Sequence, residues 1–170
     1  THPYADLATD NIAEAARNTE RKYCRVLRET AVDAVSDKED DGLTLCFVKD
    51  TEEAVKKLAE TTGNILVTTG SKEIGSFIEL PDYKERLYVR ILPQPEAVTL
   101  CTELGFTGKH LICMQGPFSV EMNYAIMKSY DISYMVTKDS GNIGGFLQKY
   151  NAAKKAGCKK GTYGTLDFQY

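Results

Sequence analysis

The stretch "ISYMVTKDSGNIGGFLQKYNAAKKAG", from Ile132 to Gly157, decides the fold. It opens on "ISYMVTKD", an apolar run whose shortness and β-branched content predict a strand rather than a segment of buried helix. The run ends in Lys138 and Asp139, Ser140 follows at once, and three glycines then fall at positions 141, 144 and 145. "GGFLQKYNAAKKAG" reads as a helix. A strand that turns through polar and glycine residues into a helix is a building block of α/β proteins, provided that the rest of the chain repeats it.

It does. "LTLCFVKD" (43–50) predicts a strand, with Thr51 as the cap of the helix "TEEAVKKLAETT" and Glu52 and Glu53 complementing its positive end. The third position after that cap is Ala54, so no capping box is expected, and Gly63 is the expected C-cap. "NILVTTG" is a strand followed by the short helical "KEIGSFIEL". "RLYVRIL" is a strand stopped by Pro93 and Pro95, and "EAVTLCTELG" a helix. "KHLICMQ" is a strand, and "SVEMNYAIMKSY" a helix capped by Ser119. Upstream, Leu7, Ile12, Ala15, Ala16 and Thr19 recur at helical spacing and "CRVLRE" reads as a short strand. The acidic "DAVSDKEDDG" has little to bury and suits a surface connection.

Continuous apolar strands alternating with helices indicate a parallel sheet covered on both faces. The expected fold is therefore α/β and Rossmann-like: one complete domain plus the tail end of a preceding one. We place a C-terminal remnant of a first domain at 1–32, a linker at 33–42, a second Rossmann-like domain at 43–157 and an atypical, turn-like tail at 158–170. The chain begins at Thr1-His2-Pro3-Tyr4 without a methionine and reads as one cut in mid-protein.

Composition narrows the function classes. A net charge of −3, with the signs mixed along the chain, argues against general affinity for nucleic acid or an anionic membrane. No apolar run reaches the length of a membrane span and no signal peptide is evident, so the default location is cytoplasmic. Five widely spaced cysteines, none in a CxxC pair, read as small buried side chains in a reducing compartment. With only His2 and His110 to join them, no metal site is expected.

In an open parallel sheet, ligands bind beyond the carboxyl ends of the strands. Four strand-to-helix loops qualify: Thr68–Glu73, Leu92–Glu96, Gln115–Asn123 and Thr137–Gly145. In the first, Thr68, Thr69, Gly70, Ser71 and Lys72 combine hydroxyls, a close-approach glycine and free backbone N–H groups suited to a phosphate or carboxylate. Its spacing is not that of a P-loop. In the third, Gly116 and Ser119 lead into a helix start, where Glu121 and Asn123 either face a ligand or solvate the helix end. In the fourth, Lys138, Asp139, Ser140 and Gly141 stand at the end of a strand, although GxxGG is not the GxGxxG of a dinucleotide site. Helix caps and surface turns account for the same residues one loop at a time; the four together on one sheet edge favour a cleft.

Taken in order, "THPYA" (1–5), "VTTGSK" (67–72), "VRILP" (89–93), "QGPFSVEMN" (115–123) and "VTKDSGNIGGFLQK" (136–149) resemble the precorrin-6A reductase (cobalt-precorrin-6A reductase) family of cobalamin biosynthesis. The resemblance runs to about Gly157. It implies reduction of one double bond in the precorrin-6A macrocycle, or its cobalt-loaded form, with NADPH as cofactor and a carboxylate-rich tetrapyrrole as the small-molecule substrate. Lys72, Lys138 and Arg90 then become partners for the substrate's acidic arms. Asp139 and His2 are candidates for a proton donor. In the family "THPYA" follows a glycine-rich segment absent here, and an apolar strand usually follows the last helix, so the expectation is an N-terminally truncated member whose tail is altered. Two other readings stay open: a non-catalytic nucleotide-binding or interaction module, and a methyltransferase of the same pathway. The oligomeric state is left undetermined.

Overall fold

The computed structural model describes residues 14, 15, 17, 18, 43, 45–138 and 145–158, together with the backbone of 162–164. Six strands, β1 (Leu45–Phe47), β2 (Asn64–Val67), β3 (Leu87–Ile91), β4 (Leu111–Cys113), β5 (Ile132–Val136) and β6 (Thr162–Gly164), form one sheet in the order β1-β6-β5-β2-β3-β4. Every pairing is parallel. The expected α/β architecture is therefore present. Glu14, Ala15, Arg17 and Asn18 are helical, as the spacing over 6–21 predicts. The strand expected at Cys24–Glu29 and the linker at 33–42 lie outside the described residues.

Helices cover both faces. On one side α1 (Thr51–Ala59), α2 (Ile74–Phe77) and α4 (Pro95–Glu103) bury Leu58, Ile74, Phe77 and Cys101 against Ile65, Val67, Leu87, Val89 and Val136. On the other, α5 (Val120–Ser129) and α6 (Phe146–Ala156) bury Met127, Ala152 and Ala153 against Leu66, Tyr88 and Met135. Alternate residues of one strand thus serve opposite cores, as the two-residue repeat of a pleated strand requires. A fully buried side chain such as Leu58 contributes about 1.5–3 kcal/mol through the area it removes from water. A single turn, α3 (Tyr83–Arg86), leads into β3.

Three local expectations are corrected. Asp50, not Thr51, caps α1: its carboxylate accepts from the Glu53 N–H at 2.8 Å, while Glu53 accepts from the Lys49 N–H at 2.9 Å. Moving the cap back one residue puts Glu53 at the third helical position, where its carboxylate reaches back past the cap to the N–H of Lys49 instead of to that of Asp50. Helix α1 ends at Ala59, and Gly63 is not its C-cap. Gly63 has φ +109°, and a Cβ there would stand 2.5 Å from Ser133 Oγ, so it is needed where β2 begins beside β5. Finally, Thr162–Gly164 of the segment expected to be turn-like form β6, between β1 and β5. Backbone pairing from both sides supports a strand that has no apolar pattern of its own. By contrast, Ser119 caps α5 as expected, accepting from the Met122 N–H at 3.2 Å.

Candidate functional site

Chain direction across the sheet reverses beside β2. From β2 the chain moves outward to β3 and β4, then returns to β5 on the other side of β2 and continues to β6. Thr68 carries the β2–β5 pairing one residue further: its N–H and its hydroxyl both donate to Val136 O, at 2.8 and 3.1 Å. Beyond it the carboxyl ends of the strands diverge. A crevice outside such a switch point is where ligands enter open α/β sheets.

A cavity of about 590 Å³ opens there. Thr68, Thr69 and Gly70 line it from the loop after β2, and Gly116, Pro117 and Phe118 from the loop after β4, across a cis Gly116–Pro117 peptide. Arg90 enters from β3, Asn123 from α5, and Gly145, Gln148 and Lys149 from the start of α6. A smaller cavity of about 210 Å³ adjoins it, lined by Thr69, Gly70, Ser71, Lys72, Glu73 and Lys138.

The floor of the larger cavity is cationic. Arg90 is 5% exposed; its Nη1 donates to Asn123 Oδ1 at 2.8 Å and its guanidinium lies 4.1 Å from the centre of the Phe118 ring. Asn123, fully buried, donates in turn to Ser119 O at 2.8 Å. One amide thereby ties β3, the loop after β4 and α5 together. Among the described residues no carboxylate forms a salt bridge with Arg90. Burial lowers its pKa to about 10, so it stays charged at neutral pH. Lys149, 8% exposed, donates to Thr137 Oγ1 at 2.9 Å. Burial first, and the nearby Arg90 charge second, lower its pKa to about 8.

Two polar atoms facing this space have no hydrogen-bond partner among the described residues: the hydroxyl of Thr69, 6% exposed, and Gln148 Oε1. An orphaned buried polar atom costs about 1–3 kcal/mol, a cost that a bound ligand offsets.

The structure thus brings Thr68, Thr69, Gly70 and Gly116 to the larger cavity and Ser71, Lys72 and Lys138 to the smaller. Lys138 is ion-paired with Glu73, whose side chain is 8% exposed. Ser119 lines neither cavity; its hydroxyl caps a helix. His2, Asp139, Ser140 and Gly141 lie outside the described residues. His110 donates its Nδ1–H to Leu87 O at 2.8 Å, at the opposite, amino end of β3. Motif reading missed Gln148 and Lys149, because attention stopped at the glycines. The signal for Lys149 was present: Phe146, Lys149, Tyr150 and Ala153 share the buried face of α6, and a lysine in such a stripe is out of place unless it has a task.

Fold and site together define a doubly wound, parallel-sheet α/β protein with a cation-floored cleft at its switch point. The chain belongs to the precorrin-6x reductase family, CbiJ/CobK, whose model matches residues 1–160. It is 38% identical over 159 residues to the cobalt-precorrin-6A reductase of Priestia megaterium, a match covering 92% of this chain and 60% of that protein. With the cobalt-precorrin-6A reductase of Methanothermobacter thermautotrophicus it shares 31% identity over 157 residues, covering 92% of this chain and 50% of the relative. The solved structure of CobK precorrin-6A reductase superposes with a TM-score of 0.69 at 22% identity, covering 96% of this chain and 61% of that one. That likeness bears on the fold alone. The chain spans between half and about three-fifths of the length of these relatives. No helix among the described residues is long and apolar enough to cross a membrane.

Proposed function

We propose that this chain is the part of an NADPH-dependent reductase that reduces one double bond of precorrin-6A, or of its cobalt-loaded form, in cobalamin biosynthesis, in the cytoplasm. The observation that carries the reading is the cleft at the β2/β5 switch point, floored by Arg90 and Lys149, in a chain of this family. A small-molecule tetrapyrrole with acidic arms suits that floor, because guanidinium and ammonium groups bind carboxylates through charge-assisted hydrogen bonds.

The residues also fit a nicotinamide dinucleotide. The Thr69 hydroxyl is buried without a partner among the described residues, and Gly70, with φ +101°, leaves its backbone open directly before the Ser71–Glu73 turn. Thr68, Thr69, Gly70 and Gly116 would hold ligand in the larger space, and Ser71, Lys72 and Lys138 in the smaller. Ser119, Asp139, Ser140 and Gly141 belong to the same two loops. NADPH supplies a hydride when bound, and reduction of the carbon–carbon double bond then needs one proton at the neighbouring carbon. Asp139 and His2 remain proposals for its source. The chain's own contribution is to bind, to orient and to shield: Phe118 and Leu92 give the cleft an apolar wall while the Arg90–Asn123 bond sets the position of the charge.

The test is turnover. The protein is mixed with NADPH and precorrin-6A under conditions where a control reductase works, and the loss of NADPH absorbance is followed. Oxidation dependent on both components is expected. Binding of NADPH by calorimetry without any turnover would replace this reading with that of a non-catalytic nucleotide-binding module.

A further inference from the structure

We infer that the smaller cavity, at the amino end of α4, is a phosphate subsite. It receives a phosphate group of the dinucleotide, held by the helix start together with Thr69, Ser71 and Lys72. The inference rests on the reading of the chain as part of a nicotinamide-dependent reductase and names the ligand group that this space takes.

Helix α4 begins without a side-chain cap. Gln94 stands at the cap position, and its side chain accepts from no N–H of the first turn. Pro95 follows and has no N–H of its own. The N–H of Val98 donates to Gln94 O at 3.0 Å, and that of Gln94 to Leu92 O at 2.8 Å. The N–H groups of Glu96 and Ala97 are left without a hydrogen-bond partner among the described residues. Gln94 and Ala97 line the smaller cavity, so the helix starts at its wall. Unpaired N–H groups and the positive end of a helix dipole together suit an anion.

A helix start by itself needs no ligand, because water can satisfy it. The Thr69 hydroxyl is a second, independent sign. It borders the same cavity, belongs to a residue only 6% exposed, and has no hydrogen-bond partner among the described residues. Such an atom costs about 1–3 kcal/mol until a ligand oxygen engages it. Ser71 and Lys72 complete the wall, and Lys72 forms no salt bridge among the described residues. The nearby carboxylates do not oppose an anion strongly. Glu73 is ion-paired with Lys138, and Glu96, in the first turn of α4, is exposed and does not line the cavity.

The kind of donor separates phosphate from carboxylate. Main-chain N–H groups, the hydroxyls of Thr69 and Ser71 and a point-charge ammonium come from separate segments, which suits the several oxygens of a phosphate. The guanidinium fork of Arg90, in the larger space, is the planar partner for a tetrapyrrole's carboxylates. Thr69, Gly70 and Leu92 border both cavities, so a dinucleotide anchored at α4 extends from the smaller space into the larger.

Calorimetric titration of the chain with NADP+, NAD+, inorganic phosphate and uroporphyrin tests this. Inorganic phosphate should compete with NADP+ for the wild-type protein. Lys72→Met should weaken the dinucleotide by about 10-fold, and Thr69→Val by about 3- to 10-fold. A loss for NADP+ alone assigns the subsite to the extra phosphate on the adenosine ribose; an equal loss for NAD+ assigns it to the diphosphate. Thr69→Val has a further readout, since it replaces an unpaired hydroxyl with a methyl group of the same shape. The melting temperature of the ligand-free protein should hold or rise while binding falls. A lower melting temperature would make the hydroxyl structural and overturn the subsite. So would absence of phosphate competition, dinucleotide affinities unchanged in both variants, or a loss confined to uroporphyrin. Turnover of wild-type protein with NADPH and precorrin-6A in the face of those results would keep the reductase reading and remove only the subsite. Phosphate-competed binding without turnover would do the reverse.

Discussion

Arg90 Nη1 lies 2.8 Å from Asn123 Oδ1, and this bond joins the carboxyl end of β3 to the first turn of α5 beneath the cleft. Both partners are buried, and Asn123 uses its amide nitrogen on the carbonyl of Ser119. The helix start and the buried cation are thus held by one side chain. Stability and the geometry of the site are coupled at that point.

Asn123→Ala removes the acceptor of a buried charged group and the donor to a loop carbonyl. Loss of stability of about 2–4 kcal/mol is expected, since hydrogen bonds to charged groups contribute about 1.5–3 kcal/mol each. Urea denaturation of the variant checks the magnitude. An effect under half a kcal/mol would mean that solvent replaces both bonds.

Lys149 makes stability depend on pH in the alkaline range. Its folded pKa of about 8 lies below the ordinary 10.5, because burial and Arg90 disfavour the ammonium. Between those two values the unfolded chain binds more protons than the folded one, so this group's opposition to folding, complete below about pH 8, fades as pH rises. The stability of the protein relative to Lys149→Met should therefore shift in its own favour by about 3 kcal/mol between pH 7 and pH 10.5. Parallel denaturation curves at the two pH values, with an unchanged difference, would contradict the placement of Lys149.

The Lys138–Glu73 pair ties the end of β5 to the turn after β2. Glu73 is the more buried partner, at 8% against 32% side-chain exposure. Lys138→Met leaves a buried carboxylate short of its cation, so it should cost about 3 kcal/mol, more than Glu73→Gln. The double variant should recover part of the loss. A double-mutant cycle by thermal denaturation measures the coupling.

Gly63→Ala places a methyl group 2.5 Å from Ser133 Oγ and holds alanine at φ +109°. A cost of about 1–3 kcal/mol is expected for the backbone alone. Adding Ser133→Gly should return the steric part and leave the conformational part. Melting temperatures of the single and double variants separate the two.

The core of this fold was readable because each strand and helix advertises its own period. "NILV", "LYVRI" and "ISYMV" are short, apolar and β-branched, and they became β2, β3 and β5. Ser119 announced α5 because a cap is a local interaction spanning three residues. The loops at the carboxyl ends were readable as a set for the same reason: parallel strands send all their exits to one edge. What could not be read was the depth of individual side chains. Arg90 appears as one cation among hydrophobic neighbours, and nothing local tells whether it snorkels to water or closes a cavity floor. Lys149 stands beyond the glycines, where a motif search ends. β6 has no apolar pattern, since pairing on two sides is what makes it a strand.

By itself the sequence determined the parallel α/β class, the edge on which the strand-to-helix loops gather, and the family, all properties carried by periodicity and by short motifs in order. Tertiary structure alone decided which charges share the cleft. Arg90, Asn123, Thr137 and Lys149 come from four elements, and their hydrogen bonds at 2.8 and 2.9 Å exist only once those elements pack. The physical reason is range: secondary structure is set by interactions between near neighbours in the chain, while burial and the fields of buried charges depend on residues brought together by the fold.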